Sequence, residues 1–277
     1  MKIGVVSRSL GNMTQAEAAV FMRENGFVST ELCMNSPDAP IWKYNGISDI
    51  GSISKERFHE IVEGYRSNGV EVVALGVFTN LIEPDEEKRR QNLDCFKLHI
   101  EYAAAEGIPY VSTECGFDPA SRGVRADLYE KRFDTLKQSL SELLEHCEKF
   151  DVSIAFEPCV IDVVPSAKRM ADLIEQLEND RLKVLLDPAN LIANSSEEDM
   201  FYYLSDHVAY FHGKDRHVND AKGRVVGDGD IMWAYFLLLY HRHCEGKPFI
   251  IEYVNSENCV EIKNRLEEFD KAALKML

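Results

Sequence analysis

The chain has 277 residues, 45% of them hydrophobic, and carries a formal charge of −16 from 47 acidic and 31 basic side chains. A chain this acidic repels phosphate backbones, and its longest basic cluster, Lys88-Arg89-Arg90, lies beside Asp85, Glu86 and Glu87, so no nucleic-acid partner is expected. The seven cysteines are scattered without C-x-x-C spacing, and the longest apolar run, 231–240, is shorter than the roughly 20 residues a bilayer span needs, so neither a disulfide framework nor a membrane partner is expected.

The chain starts directly in an apolar strand at 2–6, without the apolar stretch and cleavage site of a signal peptide, and a cytoplasmic location is expected. Further strands are expected at 29–33, 70–77, 109–113, 152–157, 182–187, 208–212 and 249–253, each followed by a helix-periodic segment. Gly26, Gly69 and Gly107 each close a helical pattern just before a strand, where the left-handed conformation ends a helix. Tyr129, Phe133, Leu136, Leu140, Leu143, Leu144 and Cys147 recur at the spacing of one buried helix face. Met170, Leu173, Ile174 and Leu177 do the same behind a candidate N-cap at Ser166. Two connections are long, 35–52 with Trp42 and Tyr44, and 116–124. Both follow strands, and the first reads either as surface cover or as a lid.

Strands alternating with helices leave an open doubly wound sheet or a closed barrel. The alternation is even, the strand count is eight, and no Gly-rich phosphate loop follows the first strand. The expectation is therefore an α/β fold, a (β/α)₈ TIM barrel in a single domain over residues 1–277, with both long connections on its active face.

Four consecutive strands end in a residue that can bind metal: Glu157, Asp187, His212 and Glu252. Their spacing is near one βα unit, about 31 residues if roughly 250 are shared among eight units. Parallel barrel strands converge their C-terminal ends on one mouth, so residues this far apart can meet. Singly, each reads as a loop polar residue or a helix cap. Together, three carboxylates facing one mouth would repel, and a divalent cation holds them ionised. One imidazole with three carboxylates suits one fairly hard ion, Mn²⁺ or Mg²⁺ ahead of Co²⁺ or Zn²⁺.

Glu157-Pro158, Asp187-Pro188, His212-Gly213-Lys214-Asp215 and Ile251-Glu252 resemble the core of the sugar-phosphate isomerase/epimerase family, the xylose-isomerase-like barrels. Gly26-Phe27-Val28-Ser29-Thr30-Glu31-Leu32 resembles its second-strand entry, and Gly227-Asp228-Gly229-Asp230-Ile231 its G-x-G-D-I segment. The resemblance covers nearly the whole chain. It implies a metal-dependent isomerase or epimerase of a ketose or related polyol, working through a metal-stabilised enediolate. It also implies a small-molecule carbohydrate substrate and, since such barrels pair through surface helices, a homo-oligomer. Glu157 and Glu252 are then the two proton-transferring bases as well as ligands.

Glu114, Asn190, Lys214 and Arg216 are candidate substrate-binding residues, with Arg8 a further candidate. For Lys214 and Arg216 the competing reading is ion pairing with Asp215, Asp228 or Asp230. Asn190 stands where many family members carry a histidine, so any proton transfer at that position is lost here. His217, His241 and His243 read as loop, surface or packing residues. Two other functions fit the same ligands: a dehydratase of a keto-inositol-like substrate, and a sugar-binding barrel without turnover.

Overall fold

The structure is a computed structural model that describes residues 1–121 and 123–277. Its strands are β1 (Ile3–Val5), β2 (Ser29–Leu32), β3 (Glu71–Gly76), β4 (Tyr110–Thr113), β5 (Ser153–Phe156), β6 (Leu182–Leu186), β7 (Val208–Gly213) and β8 (Phe249–Ile251). They form one eight-stranded parallel sheet in which β1 pairs with β8 and the remaining strands follow in sequence order down to β2. Each matches its expected span to within two residues at either end.

The helices α1 (Gln15–Glu24), α2 (Lys55–Ser67), α3 (Glu86–Ala105), α4 (Tyr129–Cys147) and α5 (Ala167–Leu177) lie between successive strands. They are followed by the short α6 (Pro188–Leu191), then α7 (Glu197–Leu204), α8 (Trp233–His243) and α9 (Cys259–Leu274). Their starts are written locally. Thr14 and Glu17 form a capping box, and Ser54, Asp85, Ser166 and Ser196 each accept a backbone N–H of the first turn. Gly26, Gly69 and Gly107 end α1, α2 and α3 with φ of 70°, 74° and 63°. On α4 the buried face is Phe133, Leu136, Leu140, Leu143, Leu144 and Cys147, as the periodicity requires.

Strand alternation divides the core in two. Ile154, Phe156, Val184, Leu186, Phe211, Phe249 and Ile251 face outward into the large cluster shared with the helices. Ala155, Leu185, Tyr210 and Ile250 belong to a smaller cluster with Val6, Cys33 and Val73, which fills the barrel lumen. A period of two then places Glu157, Asp187, His212 and Glu252 on that lumen side, one step nearer the mouth.

The ring closes between β1 and β2 with little hydrogen bonding. Val28 N donates to Ile3 O at 3.0 Å and Thr30 Oγ1 to Val5 O at 2.7 Å. Close approach there needs Gly4, since a Cβ on it would lie 2.1 Å from Ser29 O. The long connection after β2 is partly ordered by a two-stranded hairpin, Asn35–Ser36 against Ala39–Pro40, and a 3₁₀ turn at Ile50–Ser52. Among the described residues, no helix is long and apolar enough to cross a membrane.

Gly4→Ala should separate this seam and lower stability by about 1–3 kcal/mol. Urea denaturation followed by circular dichroism measures it, and an unchanged midpoint would show that the seam has room to spare.

Candidate metal centre

Glu157 and Glu252 follow β5 and β8, Asp187 follows β6, and His212 is the penultimate residue of β7. The structure brings the set together: one ligand atom from each lies within 4.8 Å of the others, and all four residues are buried. Asp187 serves two purposes. Its Oδ1 accepts Ala189 N at 2.8 Å and caps α6, while Oδ2 is left toward the cluster. The bland reading of a strand-end carboxylate as a helix cap therefore holds for one of its oxygens.

His212 is oriented from behind. Its Nε2 lies 3.0 Å from Glu31 Oε2, and the Tyr210 hydroxyl donates to the same carboxylate. Nδ1 faces the cluster, 3.5 Å from Glu157 Oε1 and 3.7 Å from Glu252 Oε1. Burial opposes charge on the ring, but Glu31, Glu252 and Glu157 outweigh it and favour the imidazolium; with Nε2–H held by Glu31, it is the Nδ1 proton whose loss would present a lone pair to an ion. Nδ1 is buried and has no hydrogen-bond partner. An orphaned imidazole nitrogen facing three carboxylates fits a divalent ion, and the four residues are able to hold one.

The charges are balanced only in part. Lys214 Nζ lies 2.6 Å from Asp187 Oδ2 and 3.5 Å from Glu157 Oε1, and it donates to Glu252 Oε1. Arg8 donates to Glu252 Oε2, with its guanidinium 5.4 Å from the Trp42 ring centroid and 5.6 Å from that of Phe78. Burial opposes ionisation of Glu252, but Lys214, His212 and Arg8 outweigh it and hold its carboxyl far below the usual range. Asp187 goes the other way: burial, with Glu157 and Glu252 adding to it against Lys214, pushes its carboxyl up. The cluster therefore remains short of positive charge despite the cations around it.

Asn190 donates Nδ2–H to Glu157 Oε1 at 2.8 Å and accepts from Arg216 at 3.3 Å, so both ends of its amide are engaged. Arg216 is buried behind Asn190, and Lys214 is buried among the ligands. The ion pairs weighed for them with Asp215, Asp228 and Asp230 are absent among the described residues. Asp215 has another task. It accepts from Gly227 N, Ile231 N and Trp233 Nε1, fastening the 227–231 segment against the end of β7. A Cβ on Gly229 would fall 2.1 Å from Asp215 Oδ1, which explains the second glycine of that motif. His217 pairs with Asp230 and His241 with Asp270, away from the cluster.

Above the ligands lies a cavity of about 250 Å³ lined by Arg8, Trp42, Tyr44, Phe78, Glu114, Glu157, Lys214, Glu252 and Tyr253. The 35–52 connection thus supplies part of the cavity wall. Tyr44 donates to Glu114 Oε2 at 2.6 Å and packs on Phe117, with ring centroids 6.0 Å apart. Asn45 donates to Phe117 O and accepts from Phe117 N, tying the two long connections together. Glu31 behind His212 carried no assigned role in the sequence, and Arg8, a substrate-binding candidate there, is placed by the structure against Glu252. The signal for Glu31 was a lone carboxylate inside a strand, two positions before Cys33 on the same face.

A family model described as xylose isomerase-like TIM barrel matches residues 20–275. No curated protein sequence matches the chain. Among solved structures, a D-tagatose 3-epimerase-like protein superposes with a TM-score of 0.81 at 16% identity, covering 100% of this chain and 99% of the other. The 3-keto-D-glucoside 4-epimerase YcjR from E. coli gives 0.76 at 13% identity, covering 97% and 99%. An IolI protein with a bound zinc atom gives 0.75 at 17% identity, covering 99% and 96%.

Two outcomes follow from the geometry. Glu31→Gln should weaken Mn²⁺ binding about 10–100-fold, because the imidazole loses its orienting carboxylate; calorimetric titration tests this, and unchanged affinity would remove Glu31 from the centre. Glu114 has its carboxyl pushed up to about 7, by burial and then by Glu157, against Lys214 and the Tyr44 hydrogen bond. A raised carboxyl favours the native state at low pH and loses that stability as pH rises through about 7. In chelator-stripped protein, the melting temperature of Glu114→Gln relative to the parent should rise between pH 5 and pH 8, and a constant difference would count against it.

Proposed function

The chain belongs to the xylose isomerase-like TIM barrel family, and on that premise we propose that it is a divalent-metal-dependent isomerase or epimerase of a small ketose or related polyol. The observation that carries this reading is the convergence of Glu157, Asp187, His212 and Glu252 beneath a cavity that both glutamates line. Held there, a divalent ion supplies Lewis-acid stabilisation of charge developing on substrate oxygens, which acidifies the neighbouring C–H. The donor set favours Mn²⁺ or Mg²⁺, ahead of Co²⁺ or Zn²⁺.

The remaining work falls to the protein's own groups. Glu157 and Glu252 stand after β5 and β8 and approach the cavity from different sides of the mouth. One carboxylate takes a proton from carbon and the other returns it. Return to the opposite face of the same carbon is epimerisation, and return to the adjacent carbon is isomerisation. Asn190 fixes Glu157 by its amide, and Arg8 keeps Glu252 ionised and aligned.

Cavity size and wall chemistry suit a single sugar ring or short open-chain sugar. About 250 Å³ is below the roughly 300–1,000 Å³ of drug-sized pockets. Trp42, Tyr44, Phe78 and Tyr253 offer apolar faces to carbon-bound hydrogens. The structural relatives described as 3- and 4-epimerases of sugars and keto-glucosides support this substrate class. All seven cysteines are free, which supports a reducing, cytoplasmic setting.

One observation favours a second reading, loss of water. Glu114 lines the cavity and accepts from the Tyr44 hydroxyl, and burial with Glu157 pushes its carboxyl up, which suits an acid for a departing hydroxide.

The test is solvent deuterium uptake into a panel of ketoses with Mn²⁺ present, followed by NMR and mass spectrometry. Uptake at carbon without loss of water is expected, and it should fall at least about 100-fold in Glu157→Gln and in Glu252→Gln. Near-parental uptake in either variant would remove the two-base scheme, and net loss of 18 mass units from substrate would select the dehydratase.

A further inference from the structure

The ammonium of Lys214 occupies the middle of the ligand set. It lies 2.6 Å from Asp187 Oδ2 and 3.5 Å from Glu157 Oε1, and donates to Glu252 Oε1. It therefore meets an oxygen of all three carboxylate ligands. The side chain is only 5% exposed, so water does little to share the task. Its position follows from the strand: Lys214 stands two residues after His212, on the same face of the extended backbone and one step nearer the mouth.

From these contacts we infer that Lys214 is a resident counter-ion, which compensates the carboxylates of the empty centre, competes with the divalent ion for them and moves toward the cavity when the ion enters. This rests on the metal-dependent reading and adds the exchange of one cation for another. An ammonium and a divalent ion repel strongly at contact distances, so each weakens the other's hold on the same oxygens. Without a counter-ion, three buried carboxylates would repel one another and take up protons. Lys214 keeps the empty site assembled and in return weakens its apparent affinity for metal.

The displaced side chain has a place to go. Its Nζ is already 5.3 Å from the centroid of Tyr253, whose ring lies at the cavity wall and accepts a cation on its face. There the ammonium would face bound substrate as a donor, so entry of the ion would also make Lys214 available to the ligand.

The experiment is calorimetric titration of Mn²⁺ into chelator-stripped wild type, Lys214→Met, Lys214→Gln and Asp187→Asn. Both Lys214 variants should bind about tenfold or more tightly than wild type, and Asp187→Asn should lose binding. If wild type binds and Asp187→Asn does not, equal or weaker binding by the Lys214 variants overturns the counter-ion while leaving the metal centre standing. Absence of binding in wild type overturns both.

A second measurement needs no variant and covers the case in which Lys214→Met or Lys214→Gln fails to fold without metal. Reductive methylation of wild type is mapped by mass spectrometry with and without Mn²⁺. Lys214 protected in stripped protein and modified in loaded protein supports the exchange, and equal modification, or greater protection with Mn²⁺, overturns it.

Discussion

Three carboxylates in one desolvated space repel one another, and most of what surrounds the mouth of this barrel answers that repulsion. Glu157, Asp187 and Glu252 are each almost wholly buried, where an ionised group is costly unless it is paired. Arg8 reaches Glu252 from the turn after β1, Lys214 reaches across from just past β7, and His212 presents a ring nitrogen to Glu157 and Glu252. Glu31 then holds the imidazole from behind. Glu31 adds a fourth carboxylate, against the two permanent cations Arg8 and Lys214, so the buried cluster is short of positive charge by count, and an added divalent ion would offset that.

The barrel makes such crowding affordable by spreading it over many strands. No two of the four residues are sequence neighbours, and each stands at the end of a buried strand whose outward residues, such as Phe156, Leu186, Phe211 and Ile251, are packed against helices. The site is thereby rigid without any local loop having to hold several like charges. Asp187 also shows how one residue answers two demands, since capping α6 fixes the carboxylate and turns the other oxygen inward.

What was legible in the sequence follows from what is periodic. The eight strands and the convergence of Glu157, Asp187, His212 and Glu252 could be read because apolar runs end in a polar residue at near-constant intervals, and topology alone brings strand ends together. Glu31 was less legible because it sits inside a strand, aimed inward where the pairing register shifts between Thr30 and Glu31. The partners of Lys214 and Arg216 were not readable either. Both have acidic neighbours in sequence, yet one turns to Asp187 and Glu252 and the other to Asn190, contacts set by strand twist and closure rather than proximity along the chain. The order within 35–52 depends on Asn45 gripping Phe117, a long-range pairing without any local pattern.

The seam at Gly4 has a consequence of its own. Elsewhere the ring is held by paired parallel ladders, but between β1 and β2 it rests on a backbone bond at Val28 and a hydroxyl bond at Thr30. A closed cylinder yields at its least-stitched line, and here that line runs between the strands that carry Arg8 and Glu31 toward the mouth. Across it, Ser7 and Cys33 form a further clasp, with Ser7 Oγ donating to Cys33 O and accepting from Cys33 N. Breathing of the cylinder along this line would slacken two of the groups that steady Glu252 and His212 before any ligand strand had moved. Mechanical integrity of the wall and retention of the ion would then be two readings of one property.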